Sequence, residues 1–220
     1  MKIYRNYLTR VPRVIKTGAL LGTTIFAVST IHAQSTGQDQ NPPPSASTQT
    51  SANISHKAKE FLKDAAQANQ TEIAMANVGE SKAQNPQVKE LAHMMLTDHQ
   101  QNYALVQSLA QAHGVTVDTA PDFMNRREVD RLQKVNEGDF DKDFTKCMLK
   151  DHVKAIKRFD KAIAEVEDQD VKQYAQNTLP ALRHHLQKSG EAARTAGLDE
   201  SIISSILKDL PGENRAVTSR

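Results

Sequence analysis

Asn85–Leu109 reads NPQVKELAHMMLTDHQQNYALVQSL, and this stretch decides the fold class. Val88, Ala92, Met95, His99, Asn102, Val106 and Leu109 recur every three or four residues, which is the repeat of one helical face. Asn85 followed by Pro86 supplies a cap and a first-turn proline, and Gly114 is placed to end the helix. Upstream, Phe61, Ala65, Ala68, Glu72, Met75 and Gly79 keep the same spacing, so a first helix is expected over 56–84. Downstream, Phe144, Met148, His152, Ile156, Phe159 and Ile163 predict a third long helix from about Asp139. Beyond a turn at Glu167–Asp170, the fourth helix carries Val171, Tyr174, Thr178, Leu182, His185 and Ser189. It contains Pro180, which should kink it and free the carbonyl of Gln176. Two long hairpins, joined by 115–138 with a short helix of its own (Val129, Leu132, Val135), predict an all-α four-helix bundle.

The flanks have other compositions. Residues 1–33 hold five basic side chains and no acidic one, then an apolar run, Gly18–Thr30, and a small residue at Ala33. That order predicts a signal peptide cleaved near Ala33 and a periplasmic or secreted product. The run is shorter than the roughly 20 residues of a membrane span, so no transmembrane segment is expected in the mature chain. Residues 34–54, rich in Pro, Ser and Gln, read as a disordered tether. The bundle is expected over 55–195 and a tail over 196–220, with a short amphipathic helix carrying Ile202, Ile203, Ile206, Leu207 and Leu210.

Composition excludes several classes. The whole chain carries +2, but without its first 33 residues it carries −3, so no nucleic-acid partner is expected. A single cysteine, Cys147, rules out an internal disulfide framework and Cys-rich metal sites. With no Trp and 5% aromatics, a β-sandwich or barrel is disfavoured. An envelope partner or a homo-oligomer is the remaining partner expectation.

Each of the four apolar stripes holds one metal-competent residue: Glu72, His99, His152 and His185. Glu72 lies 13 residues before Asn85 and His99 14 after it, while His152 lies 17 before Gln169 and His185 16 after it. At about 1.5 Å per residue these positions are nearly level, whichever way the second hairpin runs. One carboxylate and three imidazoles suit a first-row divalent metal, with iron, zinc, copper and manganese not distinguished. Asp98 and Asp151 each precede a histidine, and a 100° offset puts them at helix seams, as imidazole hydrogen-bond acceptors or as further ligands. His184 is a weaker alternative to His185, and Glu90-x-x-His93 falls on the outer face. His56 and His113, at helix ends, are expected to be solvated. The competing readings are a purely structural polar layer in a cell-envelope bundle, and b-type haem between two histidines. Covalent haem is excluded because there is no Cys-x-x-Cys-His. No nucleophile–base pair or phosphate-cradling glycine loop supports hydrolysis.

The strings FLKDAAQANQTEIAMA, VKELAHMMLTDHQQN, GDFDKDFTKCMLKDHVKAI and LPALRHHLQ resemble an uncharacterised bacterial domain family of unknown function, often labelled "predicted outer membrane protein". The resemblance covers about 56–190 and implies an exported ferritin-like bundle. Glu72, Asp98, His99, Asp151, His152, His184 and His185 match its recurring polar positions. It implies no activity, and a redox or stress-protective role is a further expectation only. Phe144 stands where many members are expected to have Tyr, and the paired Glu-x-x-His motifs of ferritins are missing at the right height, so ferroxidase chemistry is not implied.

Overall fold

The computed structural model describes residues 54–210. The expected signal peptide, its cleavage point, nearly all of the tether and residues 211–220 of the tail lie outside the described residues.

Six helices follow in order: α1 His56–Lys82, α2 Pro86–Ala112, α3 Phe123–Gln133, α4 Glu137–Glu165, α5 Gln169–Thr195 and α6 Glu200–Leu207. Their starts are chemically marked. Ser55 accepts from the Ala58 amide, Asn85 from those of Gln87 and Val88, and Asp122 from that of Asn125. Gly114, at φ +66°, ends α2 in the left-handed region, where a Cβ would be strained. Through Pro180, α5 continues as one helix; Pro180 and Gln176 are both exposed, so the carbonyl left without a partner is on the wet face.

The helices close into a ring in which α1 touches α2 and α4, and α5 touches α2 and α4. Directions follow from contacts at both ends. Phe61, early in α1, meets Phe159, late in α4, with ring centroids 5.0 Å apart. Asn85, at the start of α2, donates to the carbonyl of Thr195, while His113 at its end pairs with Asp170. Neighbours are therefore antiparallel, and α2 and α4 run in the same direction. The connection between them must travel the length of the bundle, and α3 does so while packed on α1 and α4. This is a ferritin-like four-helix bundle with one long crossover, a choice the level spacing alone had left open.

Several details differ from the sequence reading. Ile54, assigned to the tether, is 3% exposed and belongs to the core, so folded packing begins before Ser55. His113, expected to be solvated, is largely covered and sits 2.6 Å from Asp170. The tail, by contrast, packs as its amphipathic pattern predicts: Ile203 and Leu210 bury against the bundle, and α6 lies on α4 and α5.

The hydrophobic core is in two parts. One gathers Phe61, Val106, Ile156, Phe159, Val171 and Leu182; the other Met75, Val88, Met95, Phe140, Phe144 and Met148. The second part is tightly closed at Gly79, where a Cβ would stand 2.8 Å from both the Ala92 methyl and the Phe144 ring. Three helices converge there at a distance only glycine allows. Gly79→Ala is expected to lower stability by about 1–3 kcal/mol in denaturant unfolding despite alanine's better helix propensity; an unchanged midpoint would mean that Phe144 yields freely.

Candidate metal centre

Between the two parts of the core lies a polar layer. His99 of α2, His152 of α4 and His185 of α5 are all buried, and their rings meet pairwise with centroids 5.2–5.6 Å apart. One ring nitrogen from each falls within 4.8 Å of the others. The opposite nitrogens are all held by oxygen. His99 Nδ1 is 2.9 Å from Asn69 Oδ1, His152 Nδ1 is 2.9 Å from the Met148 carbonyl, and His185 Nε2 is 2.9 Å from Asp98 Oδ2. A carbonyl and a carboxylate can only accept, so the imidazoles of His152 and His185 donate outward. Asn69 donates its amide N–H to the Ala65 carbonyl and turns its oxygen to His99, which therefore donates outward as well. That leaves the lone pairs of His99 Nε2, His152 Nε2 and His185 Nδ1 facing one another. His99 Nε2 has no hydrogen-bond partner, and His152 Nε2 sits 3.2 Å from His185 Nδ1.

Burial, reinforced by the neighbouring imidazoles, disfavours charge here. It holds His99 well below the ordinary histidine range, with repulsion from His185 and His152 adding to it. Burial first, then His185, pushes His152 down to about 3, although its bond to the Met148 carbonyl works the other way. Neutral imidazoles are the form that binds metal. One side of the layer is dry. Met75 lies three residues after Glu72, and Met95 and Met148 lie four before His99 and His152; because α1 opposes α2 and α4, all three fall on the same side, fully buried.

The remaining expected residues take other places. Glu72 is buried in the same layer, but its carboxylate is not among the converging ligand atoms, and Oε2 has no partner. Burial first, then the charge of Asp151, raises its pKa well above the carboxylate range, with Lys154 pulling the other way. Asp98 sits at the α2–α5 seam and holds His185. Asp151 instead pairs with Lys154 at 2.8 Å on the α4 surface. His184 is half-buried outside the triad, its pKa lowered first by burial and then by His185. Glu90 and His93 are exposed, and His93 pairs with Glu80. Cys147 is a buried thiol pushed up to about 12 by burial, approached by Arg131 Nη2 at 3.1 Å.

Sequence reasoning missed Asn69. Its signal was a helix-disfavouring residue in the middle of α1, three positions before Glu72 on the inward side. It also missed the Met148 carbonyl, which side-chain patterns cannot reveal.

Haem does not fit this geometry. A porphyrin needs a flat slot between its axial imidazoles, and these three rings are in direct contact.

The model of the family described as Domain of unknown function (DUF4142) matches residues 43–191. The chain belongs to that family. No curated protein matches this DUF4142 chain. Among solved structures, the crystal structure of a DUF305 fragment from Deinococcus radiodurans is similar, with a TM-score of 0.56 and 14% identity over 64% of this chain and 98% of that one. At that identity the likeness shows the fold alone, an all-helical bundle. Among the described residues of the DUF4142 chain, no helix is long and apolar enough to cross a membrane.

Proposed function

We propose that this DUF4142 chain is an exported bundle that binds one first-row divalent metal (iron, zinc, copper or manganese) through His99, His152 and His185. One observation carries the reading: three converging imidazoles each have the far nitrogen fixed by an oxygen acceptor. Outer-shell acceptors of this kind set the tautomer and aim of metal-binding histidines, and three histidines with a fourth position open is a recurrent catalytic-type site. Export rests on the basic, apolar and small-residue order of 1–33, and would place the site in the periplasm or outside the cell. A redox or stress-protective role would follow from the metal that is bound.

The test is calorimetric titration of metal-free protein with zinc and cobalt. One equivalent per chain is expected, and Asp98→Ala, which removes the acceptor from His185, should weaken binding about 10–100-fold. No saturable uptake by the wild type would sink the proposal. A second reading has one observation in its favour: the His99–Asn69 and His185–Asp98 bonds already tie α2 to α1 and α5 to α2 without a metal. In that reading the layer only keeps helix register in an envelope bundle, and adding chelator or zinc would leave the melting temperature unchanged.

A further inference from the structure

A polar cleft of about 800 Å³ lies between α1, α3 and α4, a size ordinary for a small-molecule site. The carboxylates on its outer walls are already engaged: Asp64 with Arg158, Glu128 and Asp143 with Arg131, and Asp151 with Lys154, while Asp122 caps α3. Two of its cations are not. Lys146 and Lys150, one turn apart on α4, have neither an ion pair nor a hydrogen bond among the described residues. Met124 of α3 lines the same cleft, and its apolar side chain is 66% exposed. Arg131 meets Asp143 and Glu128 meets Cys147, so α3 runs against α4, and one turn further back Met124 comes level with Lys150. Deeper in, the Gln67 amide has no partner on either atom, as expected of a polar wall that a ligand completes.

We propose that this cleft binds a small amphiphilic carboxylate, with its acid group between Lys146 and Lys150 and its apolar part covering Met124. A carboxylate there gains two charge-assisted hydrogen bonds, each stronger than a bond between neutral groups. Lysine ammonium groups meet an oxyanion as point charges, so they ask for charge and reach rather than for the paired geometry of a guanidinium. The guanidinium of Arg131 is taken up by Glu128 and Asp143, which leaves the two lysines as the recognising pair. An apolar group beside the acid covers the exposed thioether, a flexible and adaptable contact surface. A wholly polar anion would leave Met124 wet, and a neutral apolar molecule would leave both lysines unpaired. The site asks for both characters in one molecule. Nothing in it needs a metal, so it goes beyond the function proposed above.

The experiment titrates chelator-treated full-length protein with phenylacetate, phenylacetamide and acetate, followed by backbone amide NMR shifts. Phenylacetate is expected to give saturable shifts in α3 and α4 around Met124 and Lys150. The neutral amide and the shorter acid should each bind about tenfold or more weakly. Lys146→Met combined with Lys150→Met should weaken phenylacetate about tenfold or more, and Met124→Ser about threefold. Lys150 and Met124 are exposed and Lys146 is half-buried, so these variants should fold as the wild type does. No saturable shift with phenylacetate overturns the inference, as do shifts confined to other helices. Equal affinity for phenylacetamide removes the anionic subsite and equal affinity for acetate removes the apolar one; either result overturns it. Unchanged phenylacetate affinity in both variants overturns it too. With the metal stripped, none of these outcomes bears on the histidine triad.

Discussion

His99→Ala and His152→Ala are each expected to abolish measurable metal binding, at a similar cost to the stability of the metal-free protein. Two imidazoles and solvent are a poor site for a divalent ion, so an affinity loss of about a thousandfold or more is expected from either change. Without metal the two positions are alike. His99 Nε2 is an unpaired buried nitrogen, and removing it relieves a penalty of about 1–3 kcal/mol that offsets part of the cavity left behind. His152 is in the same position: its Nδ1 donates to the Met148 carbonyl, and its Nε2 faces only the lone pairs of the other two rings. Either loss opens a cavity and removes one outward bond, to Asn69 or to the Met148 carbonyl. Unfolding curves with and without a hundredfold excess of zinc over its dissociation constant would separate the terms: the wild type should gain about 2.7 kcal/mol, and both variants none. A His99→Ala protein that still gains with zinc would remove the triad from consideration.

The second large effect is a pH dependence with two opposing parts. His99 and His152 have folded pKa values below their ordinary 6.5. As pH falls through 6.5 the unfolded chain takes up a proton at each while the native one does not. Stability is therefore lost on acidification, by about 1.4 kcal/mol per pH unit for each imidazole. For His152 this loss continues down to about pH 3. Glu72 has the opposite sign: its folded pKa is raised above 4.5, so its contribution is full below 4.5 and is lost as pH rises. Between pH 6.5 and 4.5 it offsets about one of the two histidines while it stays protonated. Glu72→Gln removes the offset, so acidification should cost the variant about 1.4 kcal/mol per unit more than the wild type. Urea unfolding of both metal-free proteins at half-unit steps measures the difference, in which the other ionisable groups cancel. Parallel pH profiles would show that Glu72 ionises as freely in the fold as out of it.

The triad was legible because a 3.6-residue repeat with level spacing forces inward residues of four helices onto one plane. The same logic could not separate Asp98 from Asp151, which occupy identical Asp-His pairs. On α2 the offset side faces α5 and finds His185; on α4 it faces the surface and finds Lys154. That difference comes from the crossover, and a level layer is silent about which way the second hairpin enters. Glu72 was legible as buried and inward but not as standing apart from the converging nitrogens, since height alone does not fix reach. The close approach at Gly79 was likewise hidden, because a glycine on an apolar stripe does not name Phe144 as its neighbour.

The three histidines are divided between the hairpins, His99 on the first and His152 with His185 on the second. Each hairpin can form from contacts near in sequence, but neither holds the centre by itself. A bound ion would therefore act as a clasp between two independently zipped halves, and its dissociation rate would report how often those halves part.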